Sequence, residues 1–173
     1  MVPVQSQEIQ TVIKFRPANM RDLPVLKSRG TWSEIRLESR IRGEELFIAK
    51  SGEVIIGFCA VTFLWDKTPF VEKILIQPEF RRKGVGRTLL RFVEQFLYGR
   101  DCTVIYSSSQ ANEPEAQAWH RKMGFVECGI IAGFNQGGIG ELFFRRRLRN
   151  LGPVVAEIEE PEEDPSPAVT PVK

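Results

Sequence analysis

Apolar positions along this chain recur with two different periods, and the switches between them mark out its elements. Residues 11–15 (TVIKF) read as a short strand. Asn19 or Asp22 can cap a helix running to Arg29, with Pro24 near its start, where a missing N–H costs nothing. Residues 32–42 place Ile35 and Leu37 on a second short helix that Gly43 ends. Residues 45–50 and 54–65 flank Ser51-Gly52-Glu53, a hairpin signal. A turn at Asp66-Lys67-Thr68-Pro69 leads into residues 70–76, so these three strands are expected as antiparallel neighbours. The period then lengthens: Val85, Leu89, Phe92, Val93 and Phe96 form one apolar helical face, closed by Gly99. Residues 103–107 (TVIYS) form a strand reached through that helix, and so parallel to its predecessor. Residues 114–123 predict a helix with Ala116, Trp119 and Met123 on one face, and residues 125–134 and 141–148 a closing hairpin. The predicted order is β-α-α-β-β-β-α-β-α-β-β, an α/β chain with a mixed sheet and helices on both faces.

Composition sharpens this picture in a few places. A chain of 173 residues with 42% hydrophobic and 27% charged positions suits one globular domain with a proper core. It contains no run of 18 apolar residues to cross a membrane, and its first residues do not resemble a secretory signal. Three widely separated cysteines (Cys59, Cys102 and Cys128) in strand-like stretches suit buried free thiols and a cytoplasmic setting, without metal-ligand spacing. The net charge of +2 hides a division: from Pro153 onward there are six acids, one base and five prolines, leaving the rest of the chain at +7. The expected layout is therefore a flexible lead (1–10), a folded domain (11–150) and a disordered acidic tail (151–173). The tail reads either as a solvating appendage or as a pseudo-ligand for the basic body.

The chemistry concentrates between the strand 70–76 and the helix that begins near Val85. There Arg81-Arg82-Lys83-Gly84-Val85-Gly86-Arg87 makes a basic, glycine-rich turn into a helix. Such a turn holds phosphate: glycine lets backbone approach the ligand, the first helical N–H groups are unpaired, and the cations add charge. The nucleotide P-loop spacing is absent, and the dinucleotide fingerprint fails because position 89 is Leu rather than Gly. Arg145, Arg146, Arg147 and Arg149 form a basic edge, but Phe143 and Phe144 beside them belong to the sheet, so no stacking platform for nucleic acid is expected.

This loop, preceded by Ile74-Leu75-Ile76-Gln77-Pro78-Glu79-Phe80, resembles the Arg/Gln-x-x-Gly-x-Gly/Ala motif of the GNAT superfamily of acetyl-CoA-dependent N-acetyltransferases. The late helix ending in Trp119-His120-Arg121-Lys122-Met123-Gly124-Phe125, and the opening Phe15-Arg16-Pro17-Ala18 with Asp22-Leu23, resemble the same family. The resemblance covers about residues 11–148 and implies the GNAT-type acyltransferase fold, with acetyl-CoA as cosubstrate and no metal.

It further implies that the pyrophosphate lies on backbone N–H groups of Arg82, Lys83, Gly84, Val85, Gly86 and Arg87, with Arg81 at the motif's first position. Strand 70–76 would splay from strand 103–107, admitting the pantetheine arm to the backbone of Leu75 and Ile76. Lys122 and Asn112 join the implied cofactor set, although Asn112 followed by Glu115 also reads as a capping box. Glu72 stands where the family often places an acid that could serve as base, and also reads as a surface glutamate. His120, the single histidine, fills a slot where many members carry a tyrosine acid. It reads as an acid or shuttle, or as a helix residue beside Trp119.

Ser107, Ser108 and Ser109 end the parallel strand at the cleft, where they could contact acceptor or cofactor. Trp32, Glu34 and Glu38 lie in a region that shapes the acceptor site in the family, and the acids could attract a cationic amine. The implied function is acetyl transfer from acetyl-CoA directly to an amine (a small molecule, an amino acid or a peptide N-terminus) by a monomer or homodimer. A non-catalytic acyl-CoA sensor is the alternative.

Overall fold

The computed structural model describes residues 12–152, so the expected lead and nearly all of the expected acidic tail lie outside the described residues. Seven strands and four helices follow in the predicted order: β1 (Ile13–Pro17), α1 (Leu23–Ser28), α2 (Glu34–Arg42), β2 (Leu46–Ser51), β3 (Val54–Leu64), β4 (Thr68–Ile76), α3 (Val85–Tyr98), β5 (Val104–Gln110), α4 (Pro114–Lys122), β6 (Val126–Ile131) and β7 (Glu141–Arg147). Of the two predicted caps at the first helix, Asn19 holds the position. Its side chain accepts from the Arg21 N–H at 3.0 Å, while its own N–H donates to Asp22 Oδ2 at 2.8 Å. One 3-10 turn then runs into α1 with Pro24 in the first turn.

The strands form one sheet ordered β1-β2-β3-β4-β5-β7-β6. On one face, Leu23, Leu26, Leu37 and Ile41 from α1 and α2 cover Leu46, Ile48, Ile55, Phe58 and Ala60. On the other, Val85, Leu89, Val93 and Leu97 of α3 cover Phe47, Ala49, Ile56, Cys59 and Val61. Because β2 and β3 are covered twice, they read as unbroken apolar runs rather than alternating ones.

Two departures from regularity in β4 shape everything that follows. Opposite β3, Val71 pairs with Val61 and Lys73 with Ala60, so Glu72 is the extra residue of a β-bulge. The bulge flips the alternation: Val71 lies on the α3 face together with Ile74 and Ile76, while Leu75 packs toward α1 and α2. Opposite β5, the parallel pairing contains only Phe70–Tyr106 and Val71–Ser107. Beyond that pair β4 stays with β3, and β5 joins β7 along all seven of its residues. The pairing with β7 also extends β5 to Gln110, past the predicted end at Ser107.

The cysteines correct one expectation. Cys59 is buried on β3, and burial pushes its thiol up to about 12. Cys102 precedes β5 half-buried, and Cys128 is exposed on the edge strand β6, where no further strand covers it.

Candidate active site

The fork between β4 and β5 opens a cleft of about 900 Å³. It is walled by Val71 to Ile74 and Ile76 of β4, the loop residues Arg81, Arg82, Gly84, Gly86 and Arg87, Ser107, Ser108 and Ser109 of β5, and one face of α4. The loop is positioned from both ends. Phe80 and Arg81 donate backbone N–H bonds to Gln77 and Pro78, and Arg81 Nε donates to the Ile76 carbonyl at 2.9 Å. Arg82 (φ 63) and Gly84 (φ 79) both take left-handed backbone, a conformation that glycine adopts without strain. Alternating handedness gathers successive N–H groups into an anion-binding concavity.

The N–H groups of this loop are correspondingly free. The first backbone bond of α3 runs from the Thr88 N–H to the Gly84 carbonyl at 3.0 Å. Among the described residues, no acceptor takes the N–H groups of Arg82, Lys83, Gly84, Val85, Gly86 or Arg87. Nor does any acid pair with Arg81, Arg82, Lys83 or Arg87, although Lys83 sits 6.0 Å over the Phe80 ring. Six unspent donors and four unpaired cations at the N-terminus of a four-turn helix suit a polyanion.

Leu75 and Ile76 pair with Phe58 and Gly57 of β3, while their other edge faces the fork, where β5 has already left. Lys122 lines the cleft from α4. Asn112 does not: α4 is capped at Glu113, without a side-chain bond, and Asn112 is exposed outside the cleft wall. Pro114 explains the shift, since a helix that starts at a proline places its cap one residue earlier. Glu113 and Glu115 face the cleft instead.

Glu72 reaches the cleft from the bulge, held as one partner of an ion pair with Arg40 and 3.7 Å from Arg36. Arg40 is the residue that sequence reasoning missed. It is 4% exposed, donates to the Val61 carbonyl at 3.1 Å and lies 4.9 Å from the Trp32 ring. Trp32 itself packs edge-on against Phe58. Glu34 and Glu38 are paired with Lys27 and Arg42, so neither acid is a free attractor for a cationic amine.

His120 is 6% exposed, with both ring nitrogens engaged. Nδ1 lies 2.7 Å from the Ala116 carbonyl, one turn back along α4, and Nε2 lies 2.9 Å from Ser107 Oγ. Phe144 of β7 stacks on the ring at 4.4 Å. Burial pushes the imidazolium below its usual 6.5, against the opposing pull of the Ala116 carbonyl and the Glu141 carboxylate. Ser107 also donates to the Val71 carbonyl across the last β4–β5 pair. Ser109 Oγ is buried at the cleft without a partner among the described residues. Among the described residues no cluster of His, Cys, Asp or Glu is arranged to hold a metal ion.

Residues 13–125 match the model of the Acetyltransferase (GNAT) family. Streptothricin acetyltransferase of Streptomyces lavendulae is 33% identical over 89 residues, 50% of this chain and 47% of that protein. N-alpha-acetyltransferase RimI of Mycobacterium tuberculosis is 31% identical over 85 residues, 47% of this chain and 52% of that protein. The chain thus spans about half the length of these curated relatives. The crystal structure of the ribosomal-protein-S18-alanine N-acetyltransferase from Escherichia coli superposes with a TM-score of 0.66 at 20% identity, covering 83% of this chain and 98% of that one. The likeness in fold runs nearly end to end, and the family match spans most of the described residues: this chain belongs to the GNAT family of acetyltransferases.

Proposed function

We propose that this protein moves an acetyl group from acetyl-CoA directly to an amine acceptor, without a covalent enzyme intermediate. The observation that carries this reading is the run of six unspent N–H groups at residues 82–87, at the mouth of a fork whose β4 edge is free. The loop N–H groups would hold the pyrophosphate, with charge supplied by Arg82, Lys83 and Arg87. The free edge at Leu75 and Ile76 would take the pantetheine amides as an added strand would. The Ser109 hydroxyl, buried and unpartnered, offers one further hydrogen bond in the same cleft. The cosubstrate supplies an activated acetyl thioester; the chain's part is to bind it, exclude water and manage protons.

Glu72 lines the cleft but is already paired with Arg40 and Arg36, so, like Glu34 and Glu38, it offers no free charge to the amine; its part is to fix the cleft wall at the β4 bulge. The relatives named above are a streptothricin acetyltransferase and an N-alpha-acetyltransferase, so streptothricin and an α-amine both belong in the first assay. The expected assembly is a monomer or a homodimer. Among the described residues no helix is long and apolar enough to cross a membrane.

The test is to incubate the protein with acetyl-CoA and an amine panel and to follow free thiol, with acetyl-CoA affinity measured in parallel. At least one amine class should release thiol, and Arg82→Ala with Arg87→Ala should weaken binding in a salt-dependent way. Failure to bind acetyl-CoA, or binding without turnover on every class, would sink the proposal.

A further inference from the structure

The hydrogens around His120 can be assigned by elimination. A carbonyl oxygen only accepts, so Nδ1, 2.7 Å from the Ala116 carbonyl, carries a hydrogen. In the neutral ring Nε2 then presents a lone pair to Ser107 Oγ at 2.9 Å. The single hydroxyl hydrogen of Ser107 has two acceptors within reach, Nε2 and the Val71 carbonyl at 3.1 Å. When Nε2 gains a proton it donates to Oγ, and the hydroxyl hydrogen turns to Val71. Both states leave every hydrogen bonded, so a proton can enter and leave the ring without stranding a buried polar group.

The ring is also held in place. Phe144 stacks on it with an interplanar angle of 7°, and Trp119 and Phe125 meet it edge-on at 5.3 and 5.5 Å. Among the described residues, the one charged side chain acting on it is Glu141 of β7; β4, β5 and α4 meet it with the Val71–Ser107 pair, Trp119 and the Ala116 carbonyl. Val71 and Ser107 are the last pair before the fork opens, and both line the cleft with His120.

We propose that Ser107 and His120 form one proton relay at the apex of the fork, with Ser107 touching the reacting groups and His120 storing the proton behind it. The inference rests on the acetyl-transfer reading. As the amine nitrogen bonds to the acetyl carbon, its proton passes to the Ser107 oxygen while the hydroxyl hydrogen moves to His120 Nε2. As the carbon–sulfur bond breaks, the same path runs backward, and the proton ends on the departing sulfur. Starting from the neutral amine, one N–C bond forms, one C–S bond breaks and one proton moves from nitrogen to sulfur; an ammonium loses its first proton to water before it attacks. Ser107 is the catalytic residue and His120 the positioning residue, in place of a direct acid on α4.

Because His120 is the chain's single histidine, nitrogen-15 NMR of the protein without cosubstrate reads its tautomer directly. The relay requires a neutral ring with hydrogen on Nδ1, titrating below 6.5. A neutral ring with hydrogen on Nε2 would overturn it. In the kinetic arm, Ser107→Ala and His120→Phe should each lower kcat by about 100-fold or more. Acetyl-CoA affinity should hold, and the double variant should be no slower than the worse single one. Wild-type kcat/KM should fall as the pH drops through the His120 titration, and that limb should vanish in His120→Phe. Should His120→Phe fail to fold, the smaller change at Ser107 carries the test. Wild-type turnover with Ser107→Ala unimpaired, or an acetyl group retained on Ser107, would overturn the relay alone. No turnover by the wild type with any amine would overturn it together with the acetyl-transfer reading.

Discussion

Gly57 of β3 lies opposite Ile76, and this pairing sets where the free edge of β4 stands. A methyl group added at Gly57 would lie 2.5 Å from Ile76 Cδ1 and 2.8 Å from the Leu75 carbonyl oxygen. The Ile76 methyl can rotate aside, but the carbonyl belongs to the backbone of β4. Relieving that contact moves the strand by roughly half an ångström. Overpacking of this kind costs about 1–3 kcal/mol, and the lower chain entropy of alanine returns about 0.5. A net loss of about 1–2 kcal/mol corresponds to about 2–8 °C in Tm for a chain of this size. Urea melts with an unchanged m-value would measure the loss, and titration calorimetry would follow acetyl-CoA. Affinity should fall along with stability, because the displaced backbone is the edge assigned to the pantetheine arm. Gly86→Ala is the control: its added methyl meets only Ile76 Cγ1 at 3.5 Å, an ordinary contact, and should leave stability unchanged or slightly raised. A Gly57→Ala protein as stable as the wild type and with full affinity would refute this account of β4.

Gly84→Ala should cost about 1–2 kcal/mol, since φ 79 is left-handed, and should weaken acetyl-CoA about tenfold by calorimetry as the N–H groups are re-aimed. Arg40→Ala should cost about 3 kcal/mol in urea melts, because it leaves Glu72 facing only the more distant Arg36; adding Glu72→Gln should recover part of the loss. Glu94 of α3 is 1% exposed, and burial pushes its carboxyl up to about 7, even with Arg146 3.1 Å away. Folded chains therefore hold this proton where unfolded chains release it, and stability falls as the pH rises from 4.5 to about 7, by about 3 kcal/mol. Glu94→Gln should flatten that fall in melts taken across the window, and an undiminished slope would refute the assignment.

Periodicity identified every helix and strand because each local pattern agreed with its packing. It could not show that β7 inserts between β5 and β6, since a hairpin has the same sequence signature on either edge of a sheet. The loop was legible for a different reason: its donors and charges are consecutive in sequence, so no tertiary knowledge was needed. The proposed proton relay and the ion pair beside it were not, because Arg40 meets Glu72, and His120 meets Ser107, only after folding. One signal was available. Val71-Glu72-Lys73-Ile74 places two polar residues between apolar ones, which breaks the period of two where the bulge occurs. Cys128 was misplaced as buried because a strand pattern does not reveal which strand forms the edge.

The crossing of β7 has a consequence for how the molecule assembles during synthesis. Chains emerge from the N-terminus, so β1 to β4, α3 and the phosphate loop can form while β5 still has an open edge. That edge stays open until Glu141–Arg147 has been made, and the same segment delivers Phe144 to the His120 ring. The proposed cofactor loop is thus available early, and the proposed proton relay is completed last. A nascent or truncated chain lacking β7 would present β5 as an unpaired strand, the state most exposed to mispairing with a neighbour.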